Sequence, residues 1–162
     1  NNENLEVVIG KMLMEQNASL STAESCTGGY IAHMITKVPG SSAYFKGSIV
    51  SYANSAKEDL LNVKKETLKT MGAVSEETVI QMAEEVKIKL NTTYGIATSG
   101  IAGPGGGTEE KPVGTIWIAC SGPEGTVARK FMMPRGRLTN IEYGSVAALN
   151  MLRQTILKSN AE

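Results

Sequence analysis

The segment SLSTAESCTGGYIAHMI, residues 19–35, places a short strand directly before a helix. Residues 19–23 form a run that can pair as a strand, and a glycine pair separates this run from the next apolar segment. In that segment, apolar residues from Tyr30 to Ile35 recur at helical spacing, and the helix is predicted to end before Pro39. Such a strand–turn–helix unit is typical of α/β domains.

The rest of the chain continues this alternation of helices and strands. Helical spacing or capping residues predict four more helices, over residues 5–16, 55–71, 75–90 and 138–157, the second of them broken near Asn62. Four more strands are predicted over residues 44–53, 94–99, 115–120 and 126–132. The last two are joined by a Gly-Pro-Glu-Gly turn typical of a hairpin, which favours a mixed sheet. We expect one α/β domain over residues 1–162.

The bulk composition limits the class of protein. Hydrophobic residues make up 41% and charged residues 20%, as in globular domains. Sixteen basic residues balance sixteen acidic ones, which argues against a general nucleic-acid binder but leaves room for a small anionic ligand. No apolar run approaches the roughly 20 residues that a membrane span needs, and no signal-peptide pattern is present. We therefore expect a cytoplasmic protein that does not bind membranes.

The cysteines and the single histidine are too few and too scattered for a soft-metal cluster. Cys26 and Cys120 belong to no C-x-x-C pair, and His33 is the only histidine. We therefore expect no bound metal, and two reduced thiols rather than a disulfide.

Residues 22–29, TAESCTGG, carry the first candidate site. At a strand-to-helix junction, unpaired N–H groups of the new helix point outward from the sheet edge. They can bind a phosphate, or they can stabilise the oxyanion formed in acyl transfer. The alternative is structural, with Ser25 or Thr27 capping the helix and the glycines easing its packing. The local sequence leaves both interpretations open.

Ser25 and Cys26 are both nucleophiles by residue type, and each needs a base. His33 lies eight positions after Ser25 on the predicted helix, which is roughly 12 Å along the helix axis. A direct pair between them is not expected, so the base must be a lysine or a carboxylate. Cys26 lacks a histidine activator too and is interpreted as a packing residue.

Lys57 is the lysine that the sequence offers for this role. It follows a predicted strand, in the segment YANSAK at residues 52–57. Burial or a nearby cation can lower a lysine pKa until the amine acts as a base, and Tyr52 beside it can relay a proton. The alternative is a solvated lysine on a helix, and the spacing alone favours that alternative.

Two loops carry candidate binding residues. Residues 100–114 are rich in glycine, but they lead into a strand and contain no G-K-[ST], so neither a dinucleotide-binding loop nor a Walker A loop fits. The loop is then either a binding-site wall or a surface loop, and the entropic cost of its glycines favours the wall. Arg135 and Arg137, before the last helix, suit a phosphate or form an exposed basic turn.

Together these segments closely resemble the C-terminal domain of the CinA family (competence/damage-inducible protein), whose active members are nicotinamide-nucleotide amidases. Five stretches carry the resemblance in chain order: residues 22–29, 38–45, 51–57, 72–76 and 99–115. The resemblance implies a three-layer α/β/α fold with a mixed, mostly parallel sheet. It also implies a cytoplasmic serine amidase without cofactor or metal, and a homo-oligomer that we expect to be a dimer.

In active relatives, the serine of A-E-S-C-T-G-G is the nucleophile, and it falls on Ser25. The tyrosine and lysine of Y-x-N-x-A-K fall on Tyr52 and Lys57. A hydroxyl residue before G-I-A-G-P falls on Ser99, where many relatives have threonine. The resemblance therefore predicts deamidation of nicotinamide mononucleotide to nicotinic acid mononucleotide and ammonia, with Lys57 as base assisted by Tyr52 and Ser99.

The resemblance also implies which residues bind the substrate. Arg137 aligns with the arginine of the relatives' P-G-D-R and is expected at the phosphate, with Arg135 as the alternative. Backbone N–H groups of the serine turn or of the glycine-rich loop are expected to hold the oxyanion and line the site. These predicted residues are Thr27, Gly28, Gly29, Gly105 and Gly106. The same fold could instead bind a nucleotide without turnover, as a regulatory domain of a longer protein.

Overall fold

The computed structural model describes residues 3–160, which form five strands and six α-helices. The strands are β1 (Leu20–Glu24), β2 (Phe45–Val50), β3 (Tyr94–Gly100), β4 (Thr115–Gly122) and β5 (Gly125–Met132). The helices are α1 (Leu5–Glu15), α2 (Tyr30–Thr36), α3 (Asn54–Leu61), α4 (Lys65–Thr70), α5 (Glu76–Lys89) and α6 (Arg137–Asn160). Each predicted element is present, and a short 3₁₀ turn at Ser41–Ala43 is an addition.

The five strands form one sheet in the order β2-β1-β3-β4-β5. Both neighbours of β1 run parallel to it, whereas β4 runs antiparallel to both β3 and β5. Four strands therefore share one direction and only β4 opposes them. This arrangement confirms the mixed, mostly parallel sheet.

Helices cover both faces of the sheet because the buried strands are apolar on both sides. On one face, α1, α2 and α6 pack against side chains such as Leu20 and Ile96. On the other face, α5 and the end of α3 pack against the intervening residues Ala23 and Ala97. Successive side chains of a strand point to opposite faces, so β1 and β3 supply both cores. The three-layer α/β/α sandwich is confirmed.

Local signals explain most of the element boundaries. Ser75 caps α5 and accepts a hydrogen bond from the Thr78 N–H at 3.2 Å, as the sequence predicts. The predicted break near Asn62 separates α3 from α4, and Asn62 has a left-handed φ of 52°. Strand β2 ends at Val50 rather than at residue 53, because its partner β1 ends at Glu24: the Ser51 N–H makes the last bond to β1, to the Glu24 carbonyl at 2.9 Å, and the chain then turns into α3.

The carboxyl ends of β1, β2 and β3 lie at one edge of the sheet, where ligand sites of open α/β sheets form. The segments after these strands are residues 25–29, 51–53 and 101–114, and all three leave from this edge. The start of α6 joins them, since the Asn140 side chain donates to the Ala102 carbonyl at 3.0 Å. Over residues 3–160, no helix has both the length and the apolar character needed to cross a bilayer.

Candidate active site

Ser25 and Lys57 meet at this edge of the sheet. Ser25 is the first residue after β1, and Lys57 lies in α3, which follows β2. The Lys57 Nζ is 3.0 Å from the Ser25 Oγ. Lys57 is only 1% exposed and Ser25 only 6%, so the contact is shielded from solvent. The structure therefore brings together the predicted nucleophile and base, and it rules out the solvated-lysine alternative.

The surroundings of the Lys57 amine favour its neutral form. Its Nζ also contacts the backbone carbonyl oxygens of Ser51 at 3.0 Å and Tyr52 at 3.2 Å. Burial lowers the pKa of Lys57. A neutral amine has two hydrogens and one lone pair. The two carbonyls can accept both hydrogens, which leaves the lone pair free to accept the Ser25 proton.

Cys26 is a poor nucleophile in this setting. Burial raises its pKa to about 12, and the charge of Glu24 adds to this increase. The thiol therefore stays protonated near neutral pH, and a protonated thiol does not attack. Cys120 is likewise buried with a pKa raised to about 11, and both cysteines are free thiols. Ser25 is the better candidate.

The turn after Ser25 uses several of its own N–H groups. The Gly28 N–H donates to the Ser25 carbonyl at 3.0 Å, and the Gly29 N–H donates to the Glu24 carboxylate at 3.2 Å. Both of these predicted oxyanion donors are therefore occupied in this structure. The Thr27 hydroxyl also bonds Glu24, at 2.8 Å, so it faces inward. The backbone N–H groups of Cys26 and Thr27 donate to no oxygen atom within residues 3–160.

Glu24 is the site residue that sequence reasoning missed. Its side chain is fully buried and accepts hydrogen bonds from six donors. These donors are the hydroxyls of Thr22, Thr27 and Ser48 and the backbone N–H groups of Gly29, Ile31 and Ala32. A signal for this role exists in the sequence, because an acidic residue shortly before a helix often satisfies the free N–H groups of its first turn.

Tyr52 and Arg137 meet at the rim of the site rather than at Lys57. Tyr52 is 60% exposed, and its hydroxyl accepts a hydrogen bond from Arg137 at 2.9 Å. Arg137 also donates to the Gly103 carbonyl at 2.7 Å. Arg135 lies over the Tyr143 ring instead, 4.9 Å from its centre. Tyr52 therefore reaches Lys57 through its carbonyl, and the predicted relay through its hydroxyl is not formed in this structure.

Ser99 lies at the end of β3 but does not join the pair. Its hydroxyl donates to the Ala73 carbonyl at 2.7 Å. In the described part of the chain it makes no hydrogen bond to Ser25 or Lys57. Ser99 therefore anchors the segment that precedes α5, which differs from the direct assistance predicted for it.

The glycines of residues 100–114 have two different structural roles. A Cβ at Gly103 or Gly107 would lie 2.5 Å or 2.7 Å from atoms of Val113, so these glycines allow the loop to fold back on itself. A Cβ at Gly105 would meet nothing within 4 Å, and Gly106 is exposed with a φ of +89°. Gly105 and Gly106 thus form the open part of the loop, where the predicted wall would be.

His33 takes no part in this site, since its side chain is exposed on α2 and faces the Tyr30 ring. We expect His33→Ala to keep the rate of the amidase reaction that the sequence resemblance predicts within about 3-fold, because surface changes away from a site have small effects. Steady-state ammonia release measures this directly. A complete loss would show that the histidine reaches the reacting groups after all.

These features define the class: a three-layer α/β/α domain with a buried serine–lysine pair at the carboxyl edge of its parallel strands. The chain belongs to the CinA C-terminal domain family, whose pattern it matches over residues 2–156.

Several relatives show how widely this likeness extends. The chain is 49% identical over 156 residues to a CinA-like protein of Amoebophilus asiaticus, covering 96% of this chain and 38% of the relative. It is 50% identical to a CinA-like protein of Cytophaga hutchinsonii, covering 95% of this chain and 37% of that relative. The chain thus spans less than two fifths of these curated relatives. The oligomeric state, the cellular location and the domain organisation of the whole protein stay predictions.

Solved structures share the fold closely. One is the competence/damage inducible protein CihA from Agrobacterium tumefaciens, with a TM-score of 0.90 and 39% identity over 93% of this chain and 92% of that one. Another is the competence damage-inducible protein A from Klebsiella pneumoniae, with a TM-score of 0.91 and 30% identity over 94% of this chain and 95% of that one.

Proposed function

We propose that this domain is an amidase that hydrolyses the carboxamide of nicotinamide mononucleotide to nicotinic acid mononucleotide and ammonia. The observation that carries the proposal is the 3.0 Å contact between Ser25 and the buried Lys57. A serine becomes nucleophilic only beside a base, and this pair supplies one without a histidine. The resemblance to the amidases of the CinA family supplies the choice of substrate.

The proposed reaction runs through an acyl-enzyme. The Ser25 Oγ attacks the carboxamide carbon while Lys57 takes its proton. The Cys26 and Thr27 N–H groups are the available donors for the oxyanion that forms. Lys57 then returns the proton to the leaving ammonia. Water attacks the ester, Lys57 takes a proton from this water, and Ser25 recovers its hydroxyl.

Ammonia release from nicotinamide mononucleotide by the purified chain tests the proposal. We expect turnover, with nicotinic acid mononucleotide appearing in equal amount. If the chain binds the nucleotide in a calorimetric titration but releases no ammonia, the domain is instead a silent nucleotide-binding module. If it neither binds nor hydrolyses the nucleotide, the substrate is wrong.

Arg137 is the proposed contact for the substrate phosphate. Its guanidinium is exposed at the rim and reaches across from α6 to Tyr52 and to the glycine-rich loop. Arginine binds a phosphate through two N–H groups at once. Arg135 is held over Tyr143, away from this rim contact. The proposal therefore chooses Arg137 and keeps Arg135 as its matched control.

We expect Arg137→Ala to raise KM for nicotinamide mononucleotide by about 10- to 150-fold, because a charge-assisted hydrogen bond contributes on the order of 1.5 to 3 kcal/mol. The effect should appear in KM, with kcat unchanged, if the phosphate is bound equally in the ground and transition states. Steady-state kinetics with the mononucleotide and with the riboside, which lacks the phosphate, measure this. Arg135→Ala should change KM by less than about 3-fold. Equal use of the two substrates by the unchanged protein would contradict the assignment.

A further inference from the structure

Glu24 connects the turn that carries Ser25 to the rest of the fold. Its Oε1 accepts from the Thr27 hydroxyl at 2.8 Å and from the Gly29 N–H at 3.2 Å, two and four residues after Ser25. Its Oε2 accepts from the Ser48 hydroxyl of β2 at 3.2 Å. We propose that Glu24 is a positioning residue, whose side chain fixes the Ser25 turn so that the hydroxyl faces the Lys57 amine.

The carboxylate is held by neutral donors rather than by a cation. Within residues 3–160, Glu24 forms no ion pair. A buried charge is tolerated only when hydrogen bonds replace its lost water. Six donors meet this need, and four of them come from the turn and the start of α2. The energetic demand of this buried group thus keeps the turn in one arrangement.

The donors divide evenly between the two oxygens, which makes Glu24→Gln a sharp change. Three donors face Oε1 and three face Oε2, and each set includes at least one backbone N–H. A glutamine has one oxygen and one amide nitrogen, and the nitrogen can only donate. Whichever way the amide is oriented, at least one backbone N–H faces the amide nitrogen and loses its acceptor, whereas the hydroxyls can rotate to accept from that nitrogen. The turn must then shift to satisfy this N–H.

The position of the Lys57 amine depends on the backbone of Glu24 rather than on its side chain. The backbone carbonyl of Glu24 accepts from the Ser51 N–H at 2.9 Å, and the Ser51 carbonyl in turn contacts the Lys57 Nζ. A side-chain substitution keeps both carbonyls. Glu24→Gln should therefore displace Ser25 while it leaves the base in place. This separation distinguishes positioning of the nucleophile from a general loss of structure.

A fluorophosphonate probe tests the inference through Ser25 itself. In the labelling step the Ser25 Oγ bonds to phosphorus, the P–F bond breaks, fluoride leaves, and Lys57 takes the serine proton. We expect Glu24→Gln to label about 10- to 100-fold more slowly, the range for misplacing a reacting group by about an ångström. The pH at which labelling reaches half its maximum should not move, because it reports Lys57. This inference rests on Ser25 as the proposed nucleophile but not on the identity of the substrate.

Glu6→Gln is the matched control for the loss of a buried glutamate. Glu6 is 7% exposed in α1 and pairs with Lys37 at 3.0 Å, with no contact to the site. We expect the labelling rate of Glu6→Gln to stay within about 2-fold of the rate of the unchanged protein, even if its melting temperature falls as far as that of Glu24→Gln. Equal slowing in the two variants, or a labelling rate for Glu24→Gln within about 2-fold of normal, would overturn the inference. So would a shifted pH midpoint.

A second pair of variants covers the case in which Glu24→Gln does not fold. Thr27→Val removes a donor within the turn, and Ser48→Ala removes a donor from β2 to the same carboxylate. We expect clearly slower labelling for Thr27→Val and a smaller decrease for Ser48→Ala, because Thr22 and Ala32 still donate to the Glu24 oxygen that Ser48 bonds. Equal rates in these two variants would overturn the inference, as would an unchanged protein that the probe does not label. Labelling without ammonia release would instead refute only the proposed substrate.

Discussion

Ser25→Ala is expected to reduce ammonia release from nicotinamide mononucleotide by more than about 10⁴-fold, the scale on which a catalytic serine acts. The protein should remain folded, because among the described residues the Ser25 side chain bonds only Lys57, while its N–H and carbonyl keep their partners Thr98 and Gly28. Initial rates and a melting curve for the same preparation measure both effects.

Cys26→Ala is the control for this experiment. Cys26 is buried in the core beside Ser25, so its truncation should lower stability while turnover persists. The opposite result, an inactive Cys26→Ala and a Ser25→Ala variant with near-normal turnover, would identify the thiol as the nucleophile. It would also mean that the thiolate forms despite a pKa raised to about 12.

The fold is predictable because its strongest signals are local. The helical spacing of α1 and α5, the Ser75 cap and the break at Asn62 each depend on residues within a turn or two. The sequence pattern alone extends β2 three residues too far, to residue 53. The true end depends on where the partner strand stops, since Val50 pairs with Glu24, the last residue of β1, and these residues are far apart in sequence. Such a contact leaves no periodic trace in either segment.

The site is only partly predictable, and the missing part concerns side-chain direction. Residue types and resemblance select Ser25 and Lys57, but spacing alone favours a solvated lysine. Burial of Lys57 follows from packing of α3 beside the sheet, which no local pattern records. The Ser99 and Tyr52 hydroxyls bond Ala73 and Arg137 instead of the lysine. Those partners are 26 and 85 residues away in the chain.

Lys57→Met should reduce turnover by about 10³-fold or more, because a general base contributes on the order of 10² to 10⁴ and no second base contacts Ser25 among the described residues. Methionine fills a similar volume without the amine, so the α3 packing persists. Lys65→Met makes the same substitution outside the site, on the exposed start of α4, and should leave the rate unchanged. Near-normal turnover of Lys57→Met would refute the serine–lysine mechanism.

The pH dependence gives Lys57 a second, independent test. Because burial lowers its pKa below the ordinary 10.5, kcat/KM should rise with pH as the amine loses its proton, and then level off. Stability follows the same direction. Between the lowered folded pKa and 10.5, the unfolded chain binds more protons than the folded one, so the free energy of unfolding rises with pH. Lys57→Met lacks this contribution. The melting temperature of the unchanged protein should therefore increase relative to that of Lys57→Met as the pH rises toward 10.5. A constant difference between the two melting temperatures would show that folding does not lower the pKa of the buried amine.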